Sequence, residues 1–351
     1  MPSGLPYPAR SIRPTGSTRP SGPLRVGRAV AVLLSVGVLG ACAGAPAPSA
    51  SAGATGSAAP VSVDNCGTTV TVSAPPARLV TLNQGATEVA LALGLQSRMA
   101  GTAYLDDAVP DQWKAAYDSV PVLSEKYPTK EKLLAARPDF LYASYASAYT
   151  DKVAGTREEL RGQGIASYVS PFGCSDKSQV PPTTWQAAWG ELNDVAKVFG
   201  VPERAAEVQH RQEEQLAQFK ATAAGKDLKV LWFDSDTKTP FVGAGHGGPQ
   251  LVLDAVGARN VFADLPGGWQ TVSWEKVVAA DPDAIVVADA GWDTAQSKID
   301  YLENDPVLSK LGAVQRKAFV VVPFSESTPG VRLADGAAKV SAGLGRLHPA
   351  S

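Results

Sequence analysis

Glu131 and Glu275 share a setting. Glu131 opens the run Glu131-Lys132-Leu133-Leu134-Ala135-Ala136-Arg137-Pro138-Asp139, and Glu275 opens Glu275-Lys276-Val277-Val278-Ala279-Ala280-Asp281-Pro282-Asp283, 144 residues later. Six of the nine positions are identical, and each copy leads into an apolar run, Phe140-Leu141-Tyr142 in the first and Ala284-Ile285-Val286-Val287 in the second. A carboxylate in the first turn of a helix is favoured by the positive end of the helix dipole, so the phrase reads as a helix start feeding a buried strand. One echo is too few for a repeat array, which needs at least three stacked units. It implies two α/β lobes built alike, each with a glutamate at the same station.

Other candidates for chemistry are fewer. Gly243-Ala244-Gly245-His246-Gly247-Gly248-Pro249 precedes a helical pattern, and backbone N–H groups in such a turn can cradle an anion. The run lacks the Gly-Lys-Ser/Thr of a Walker loop and the spacing of a dinucleotide fingerprint. It reads either as a loop that touches a ligand or as a flexible helix cap. His210, His246 and His348 are the only histidines and are not spaced as metal ligands, so no metal held directly by side chains is expected. Asp234, Ser235 and His246 could form a nucleophilic set in an extracytoplasmic hydrolase, yet no Gly-x-Ser-x-Gly elbow is present. Arg332, after Thr328-Pro329-Gly330-Val331, could clamp a carboxylate or phosphate bidentately, or be an ordinary surface arginine near a helix start. Of Tyr142, Tyr145 and Tyr149, the first is assigned to the core and Tyr145 to the ligand.

These residues must be positioned by an alternation of short apolar strands and helices. Val61–Val72 reads as a strand or hairpin. Strands are expected over Arg78–Leu82, Pro121–Leu123, Asp139–Ala143 and Ile165–Val169, with helices at Glu88–Leu93, Thr129–Ala136 and Arg157–Gln163. After a helix over Trp185–Phe199 and a long polar one over Arg204–Ala221, which suits a bridge between domains, the alternation restarts. Strands follow at Lys229–Phe233, Ala284–Ala288 and Phe319–Pro323, with helices at Pro249–Val256, Trp274–Ala280 and Val331–Leu344. The lobes are thus residues 61–200 and 228–351, joined by a helical segment at 201–227. In open α/β sheets ligands bind beyond the carboxyl ends of the strands, and two such lobes face each other across a cleft. The ligand candidates are Asn83, Gln84, Tyr104, Ser144 and Tyr145 from the first lobe. From the second they are Asp234, Phe241, His246, Trp292, Phe324 and Arg332. Aromatics, amides and hydroxyls of this kind suit a planar or polyol-bearing small molecule.

The chain has 351 residues, 44% hydrophobic and 19% charged, which fits two globular domains. Residues 1–42 hold five arginines and no acid, leaving 27 basic against 34 acidic residues in the rest. There is no basic stripe for phosphates, so nucleic acid is not an expected partner. The thirteen-residue apolar core Ala29–Ala41 is short of the roughly 20 residues that span a bilayer and suits a signal peptide. It ends in Leu39-Gly40-Ala41-Cys42, which resembles a bacterial lipobox. Cys42 would be acylated and would anchor the protein to the outer face of the cell membrane. The Ala/Ser/Gly/Pro stretch at 43–60 would serve as its flexible tether. Cys66 and Cys174 then remain as an even pair in an oxidising compartment, expected as a disulfide, the alternative being two free thiols.

Together these features resemble one family. Arg78-Leu79-Val80-Thr81-Leu82, followed after five residues by Glu88 and then Ala92-Leu93-Gly94, belongs to the pattern, as does the repeated Glu-(six residues)-Pro-Asp phrase. Phe241-Val242-Gly243 before the glycine-rich loop and Leu253-Asp254-Ala255-Val256-Gly257-Ala258-Arg259-Asn260-Val261-Phe262-Ala263-Asp264 complete it. With the lipoprotein leader, residues 61–349 are similar to the substrate-binding proteins of iron–siderophore and cobalamin ABC importers (class III periplasmic binding proteins). The resemblance implies two Rossmann-like three-layer α/β/α lobes bridged by one long helix, a ligand cleft between them, and no enzymatic activity. It implies a monomer whose cargo is a ferric siderophore, a related metal chelate or a cobalamin-like molecule, any metal arriving inside the ligand and no cofactor of its own. It also implies that Glu131 and Glu275 dock onto arginine pockets of the transmembrane subunits of an ABC importer. Haem stays open as an alternative cargo. So does a deazaflavin cofactor precursor, because Asn83–Glu88 and Gly243–Gly248 also resemble an actinobacterial subgroup. An adhesion or scaffolding lipoprotein would bind no small molecule at all.

Overall fold

The computed structural model describes residues 59–347. The expected signal segment 1–42 with Cys42, the expected tether up to residue 58, and His348 lie outside the described residues. The described chain starts with an antiparallel hairpin, β1 (Val61–Asn65) and β2 (Thr68–Val72). Its turn, Cys66-Gly67, has φ of 49° and 73°, the positive values that a two-residue hairpin turn demands. The hairpin docks on the first lobe through Asn65. Its side chain donates to the Val169 carbonyl at 2.7 Å and accepts from the Val169 N–H at 2.9 Å. Cys66 is disulfide-bonded to Cys174, with Cα atoms 5.5 Å apart.

The first lobe runs β3 (Leu79–Leu82), α1 (Gln84–Ala92), β4 (Met99–Ala103), α2 (Asp111–Asp118), β5 (Val122–Ser124), α3 (Lys130–Ala135), β6 (Phe140–Ala143), α4 (Arg157–Gly162) and β7 (Ala166–Val169). The strands form one parallel sheet in the order β5-β4-β3-β6-β7. Strand order reverses between β3 and β6, which opens a crevice at their carboxyl ends. β3 and β6 are buried at every position, as a sheet covered on both faces requires. The sequence pattern did not announce β4, because Met99-Ala100-Gly101-Thr102-Ala103 is built of small residues. Leu123 explains why: a Cβ on Gly101 would stand 2.7 Å from its Cγ.

Two helices follow, one packed on the core of the first lobe and the next leading on to the second lobe. α5 (Trp185–Phe199) stops at Gly200, whose φ of 68° is the left-handed C-cap. α6 (Pro202–Thr222) begins with Pro202 in its first turn. It is polar, burying only Ala205, Val208 and Gln212.

The second lobe runs β8 (Lys229–Ser235), β9 (Phe241–Gly243), α7 (Gly248–Ala255), β10 (Arg259–Asn260), β11 (Trp269–Thr271), α8 (Trp274–Ala280), β12 (Ala284–Asp289), α9 (Ala295–Asn304), α10 (Gly312–Gln315), β13 (Phe319–Pro323) and α11 (Leu333–Leu347). Its sheet has the order β11-β9-β8-β12-β13, with β10 paired to the start of β8. β8, β12 and β13 are parallel, while β9 and β11 run antiparallel to their neighbours. Five residues separate β8 from β9, too few for a parallel crossover. The turn is held by Asp236, whose carboxylate accepts the N–H groups of Lys238 at 2.9 Å and Thr239 at 3.4 Å. This antiparallel edge and α9 are the main departures from the expected alternation.

Candidate ligand cavity

A cavity of about 750 Å³ lies between the two lobes. The first lobe contributes Asn83 after β3 with Gln84 and Gly85 at the start of α1, the loop after β6 (Ser144, Tyr145) and the segment after β7 (Ser170, Phe172, Gly173). These are carboxyl ends of strands at and beside the switch point, where an open sheet offers room. The local backbone is arranged for that exposure. Asn83 has a φ of 74°, donates its N–H to the Ala103 carbonyl at 2.9 Å and accepts from the Tyr127 hydroxyl at 3.1 Å. Ser144 Oγ accepts the Ala86 N–H at 3.0 Å. Beneath, Thr81, Thr87 and Thr102 form a closed ring of hydroxyl contacts of 2.8–3.0 Å, which satisfies three buried polar groups at once.

The second lobe contributes Gly245, His246, Gly247 and Trp269, then Phe324 and Ser325, and Thr328, Pro329 and Gly330. The glycine-rich loop lines the cavity and is at the same time packed into its own lobe. The N–H groups of Ala244, Gly245 and His246 already donate to the carbonyls of Gly268, Leu265 and Gly267, at 2.9–3.1 Å. A Cβ at Gly245 would lie 1.9 Å from the Ala263 carbonyl oxygen, and one at Gly248 equally close to that of Ser327. The glycines let three backbone segments cross at the cavity wall.

Six of the eleven expected ligand residues line this cavity: Asn83, Gln84, Ser144, Tyr145, His246 and Phe324. Five do not. Tyr104 packs edge-on to Tyr127 with ring centroids 4.8 Å apart, under the Lys126 ammonium. Asp234 is 3% exposed and its carbonyl accepts from the buried Lys298 ammonium at 2.7 Å. Phe241 is held in β9, paired on both sides. Trp292 stands exposed, edge-on to Phe324 at 5.7 Å. Tyr142 is in the core as expected, and so is Tyr149, whose hydroxyl donates to the carbonyls of Leu141 and Tyr168.

Arg332 is the clearest correction. The expectation put it in the cleft, or at the surface, but only 5% of it is exposed. Its guanidinium meets Glu88 at 2.8 Å, Asp335 at 2.8 Å and Glu326, which also accepts from Lys339 at 2.6 Å. Every guanidinium nitrogen is engaged, so the arginine neutralises buried carboxylates and not a ligand. Burial lifts the Glu88 carboxyl to about 7, with Arg332 pulling the other way. Gln84 connects this cluster to the cavity. It donates to Glu88 at 2.8 Å and accepts the N–H groups of Asp106 and Asp107 at 3.0 and 3.3 Å.

The cavity also holds residues that the sequence reading passed over, notably Glu191, Asp106, Lys177, Pro181, Trp269 and Ser325. Glu191 is 3% exposed and accepts from the Tyr142 hydroxyl at 2.5 Å. Burial raises its carboxyl to about 7, while hydrogen bonds from Tyr142 and Ser170 oppose the rise. Burial and the neighbouring Asp106 carboxylate push the Tyr145 phenol up to about 12. The buried Ser325 hydroxyl and Trp269 indole N–H stand beside the Asp107 and Asp234 carboxyls, and each works against the rise that burial causes in its neighbour. Among the described residues no three His, Cys, Asp or Glu side chains gather as a metal cage, and no helix is long and apolar enough to cross a membrane.

Residues 79–326 match the family described as periplasmic binding protein. The chain is 24% identical over 231 residues to a vitamin B12-binding protein of Photorhabdus laumondii, covering 66% of this chain and 76% of the relative. It is 24% identical over 285 residues to an uncharacterized ABC transporter substrate-binding lipoprotein of Bacillus subtilis, covering 79% and 83%. Among solved structures, a periplasmic binding protein from Veillonella parvula superposes with a TM-score of 0.71 at 28% identity, over 81% of this chain and 97% of the other.

Proposed function

The chain belongs to the periplasmic binding protein family, and from that premise we propose that it captures a ferric siderophore, a related metal chelate or a cobalamin-like molecule outside the cell membrane and hands it to an ABC importer. The observation that carries the ligand part is the cavity itself. Its volume of about 750 Å³ is in the range of small-molecule sites. Tyr145, Phe172, Trp269 and Phe324 supply aromatic walls, and Asn83, Gln84, Ser144 and Ser325 supply convergent polar groups. Such a lining holds a large, partly planar molecule by stacking and hydrogen bonds. No nucleophilic set stands in it: His246 lines the cavity, whereas Asp234 and Ser235 contact each other outside the lining. We therefore read the protein as a binder and not an enzyme.

On this reading residues 61–200 and 228–351 act as two lobes about the 201–227 bridge. Glu131 and Glu275, both exposed in the first turns of α3 and α8, are the docking residues. Thr129 and Ser273 beside them hold the two carboxyls below the usual range, together with backbone N–H groups of the helix starts. Cys42 is the lipid anchor and the binder works as a monomer. The test is a titration of tryptophan fluorescence with vitamin B12 and with ferric chelates. Saturable quenching with a one-to-one endpoint is the expected result. No response to any chelate, corrinoid or haem would refute the reading and favour a scaffolding lipoprotein.

A further inference from the structure

The cavity carries an unusual charge pattern. Its lining includes two acids, Glu191 and Asp106, and no arginine. Its one lysine, Lys177, is exposed at the edge. Arg332 is consumed by Glu88, Glu326 and Asp335, and Lys298 by Asp293 and the Asp234 carbonyl. A second layer of acids stands behind the wall. Asp107 raises the carboxyl of Asp106, after burial, and Asp106 and Asp234 both oppose ionisation of Tyr145. A negative field of this kind in a partly enclosed site repels anions strongly.

Glu191 is the focus of the pattern. It projects from the middle of α5, is 3% exposed, and forms no ion pair among the described residues. Its neighbours are hydroxyls, Tyr142 from β6 and Ser170 from the loop after β7, with the Asp194 carboxylate further along α5. A carboxylate offers about four acceptor positions, and the two hydroxyls use only part of that capacity. A buried acid without a cation is costly to ionise. In a cavity wall, the partner that relieves the cost is a donor on the ligand.

Building on the capture of a chelate, we propose that the cavity selects chelates without net negative charge, and that Glu191 makes the selection by accepting a hydrogen bond from an ammonium or amide N–H of the ligand. An ammonium gains most from this contact. A neutral amide-bearing chelate or corrinoid gains less. A polyanionic tris-catecholate, or a porphyrin with two carboxylates, is disfavoured by Glu191 and Asp106 together.

The test is a binding series at pH 8. The probes are the ferric complex of a linear trihydroxamate with a free terminal ammonium, its N-acetylated counterpart, a ferric tris-catecholate and iron protoporphyrin. The ammonium complex is expected to bind about tenfold more tightly than the acetylated one, and the tris-catecholate at least about 100-fold more weakly. Glu191→Gln, with its fold checked by thermal melting, is expected to bring the ratio of the ammonium and acetylated affinities from about ten to about one. Equal or tighter binding of the tris-catecholate or the porphyrin overturns the proposal, as does an unchanged preference in Glu191→Gln. If that variant does not fold, the parent's ranking of the four probes decides alone. Binding of the wrong class refutes charge selection and leaves chelate capture standing. Failure of every probe and of vitamin B12 refutes chelate capture, and charge selection falls with it.

Discussion

Arg332 Nη1 lies 2.8 Å from Glu88 Oε1, joining two residues 244 positions apart across the two lobes. Glu88 belongs to α1, directly behind the cavity, and Arg332 precedes α11. Two further contacts cross nearby. Asp107 accepts the Ser325 N–H at 3.0 Å, and Gln212 of α6 takes the Trp189 indole N–H at 2.7 Å while donating to the Val331 carbonyl at 2.8 Å. The lobes are thus tied by named polar contacts as well as by the chain.

Removing the guanidinium takes from Glu88 its only cation among the described residues and leaves Glu326 with Lys339 alone. Arg332→Ala is expected to destabilise the protein by about 3–5 kcal/mol, the usual cost of breaking a buried ion pair from one side. Arg332→Ala combined with Glu88→Gln is expected to recover part of that loss, since the pair is coupled. Denaturant melts of the two variants measure both. A single-variant loss below about 1 kcal/mol, the level of a surface pair, would contradict the role assigned to the cluster.

Stability is expected to depend on pH through Glu88. Burial raises its carboxyl to about 7 from an ordinary 4.5, so the folded state holds a proton that the unfolded chain has released. The contribution is complete below about pH 4.5 and is lost as the pH rises through 7. Relative to Glu88→Gln, which carries no proton to lose, the parent is expected to weaken by roughly 2–3 kcal/mol between pH 5 and pH 8. Urea melts at four pH values suffice, and a constant difference would rule the linkage out.

Uptake and binding are expected to separate at the repeated glutamates. Glu131→Ala with Glu275→Ala leaves the cavity untouched, because both side chains stand exposed at helix starts outside its lining. Ligand affinity is expected to stay within about twofold of the parent, about the size of a remote surface change. Import of labelled ligand by cells carrying the variant is expected to vanish. Lost affinity with intact import would reverse the assignment.

The disulfide offers a fourth measurement. Cys66→Ser with Cys174→Ser opens a loop of 108 residues and is expected to cost roughly 4 kcal/mol in the chain-entropy picture. Thermal melting gives the size, and non-reducing peptide mapping of the parent is expected to recover the 66–174 peptide pair. Free thiols at both positions would remove the claim.

Much of this architecture was legible in the chain. β6 and β12 follow the two copies of the repeated phrase as buried runs, and α5 occupies the residues its helical period marks, ended by Gly200. The loops after β3 and β6 were located by the rule of carboxyl ends, and their residues do line the cavity. The Glu88–Arg332 contact had no local signal, since nothing in either segment refers to the other. Arg332 was misread for that reason. Glu191 did leave a trace. Besides Trp189 and Val198, the buried residues of α5 are Ala188, Glu191, Leu192, Val195, Ala196 and Phe199, spaced at i, i+3, i+4, i+7, i+8 and i+11. An acid on the apolar face of a helix is a local inconsistency of the kind that marks functional positions. Asp106 and Trp269 follow β4 and open β11, two strands whose small or polar residues hid them.

The bond between Cys66 and Cys174 has one more consequence. Cys174 sits between Gly173 and Lys177, so the disulfide fastens to the hairpin turn the same stretch of chain that supplies the cavity with residues from Ser170 to Thr183. In a reducing compartment that fastening does not form, and this stretch keeps only its non-covalent contacts, such as the Ser170 N–H donated to the Ala143 carbonyl. The covalent tie between the hairpin and the cavity wall therefore depends on an oxidising surrounding.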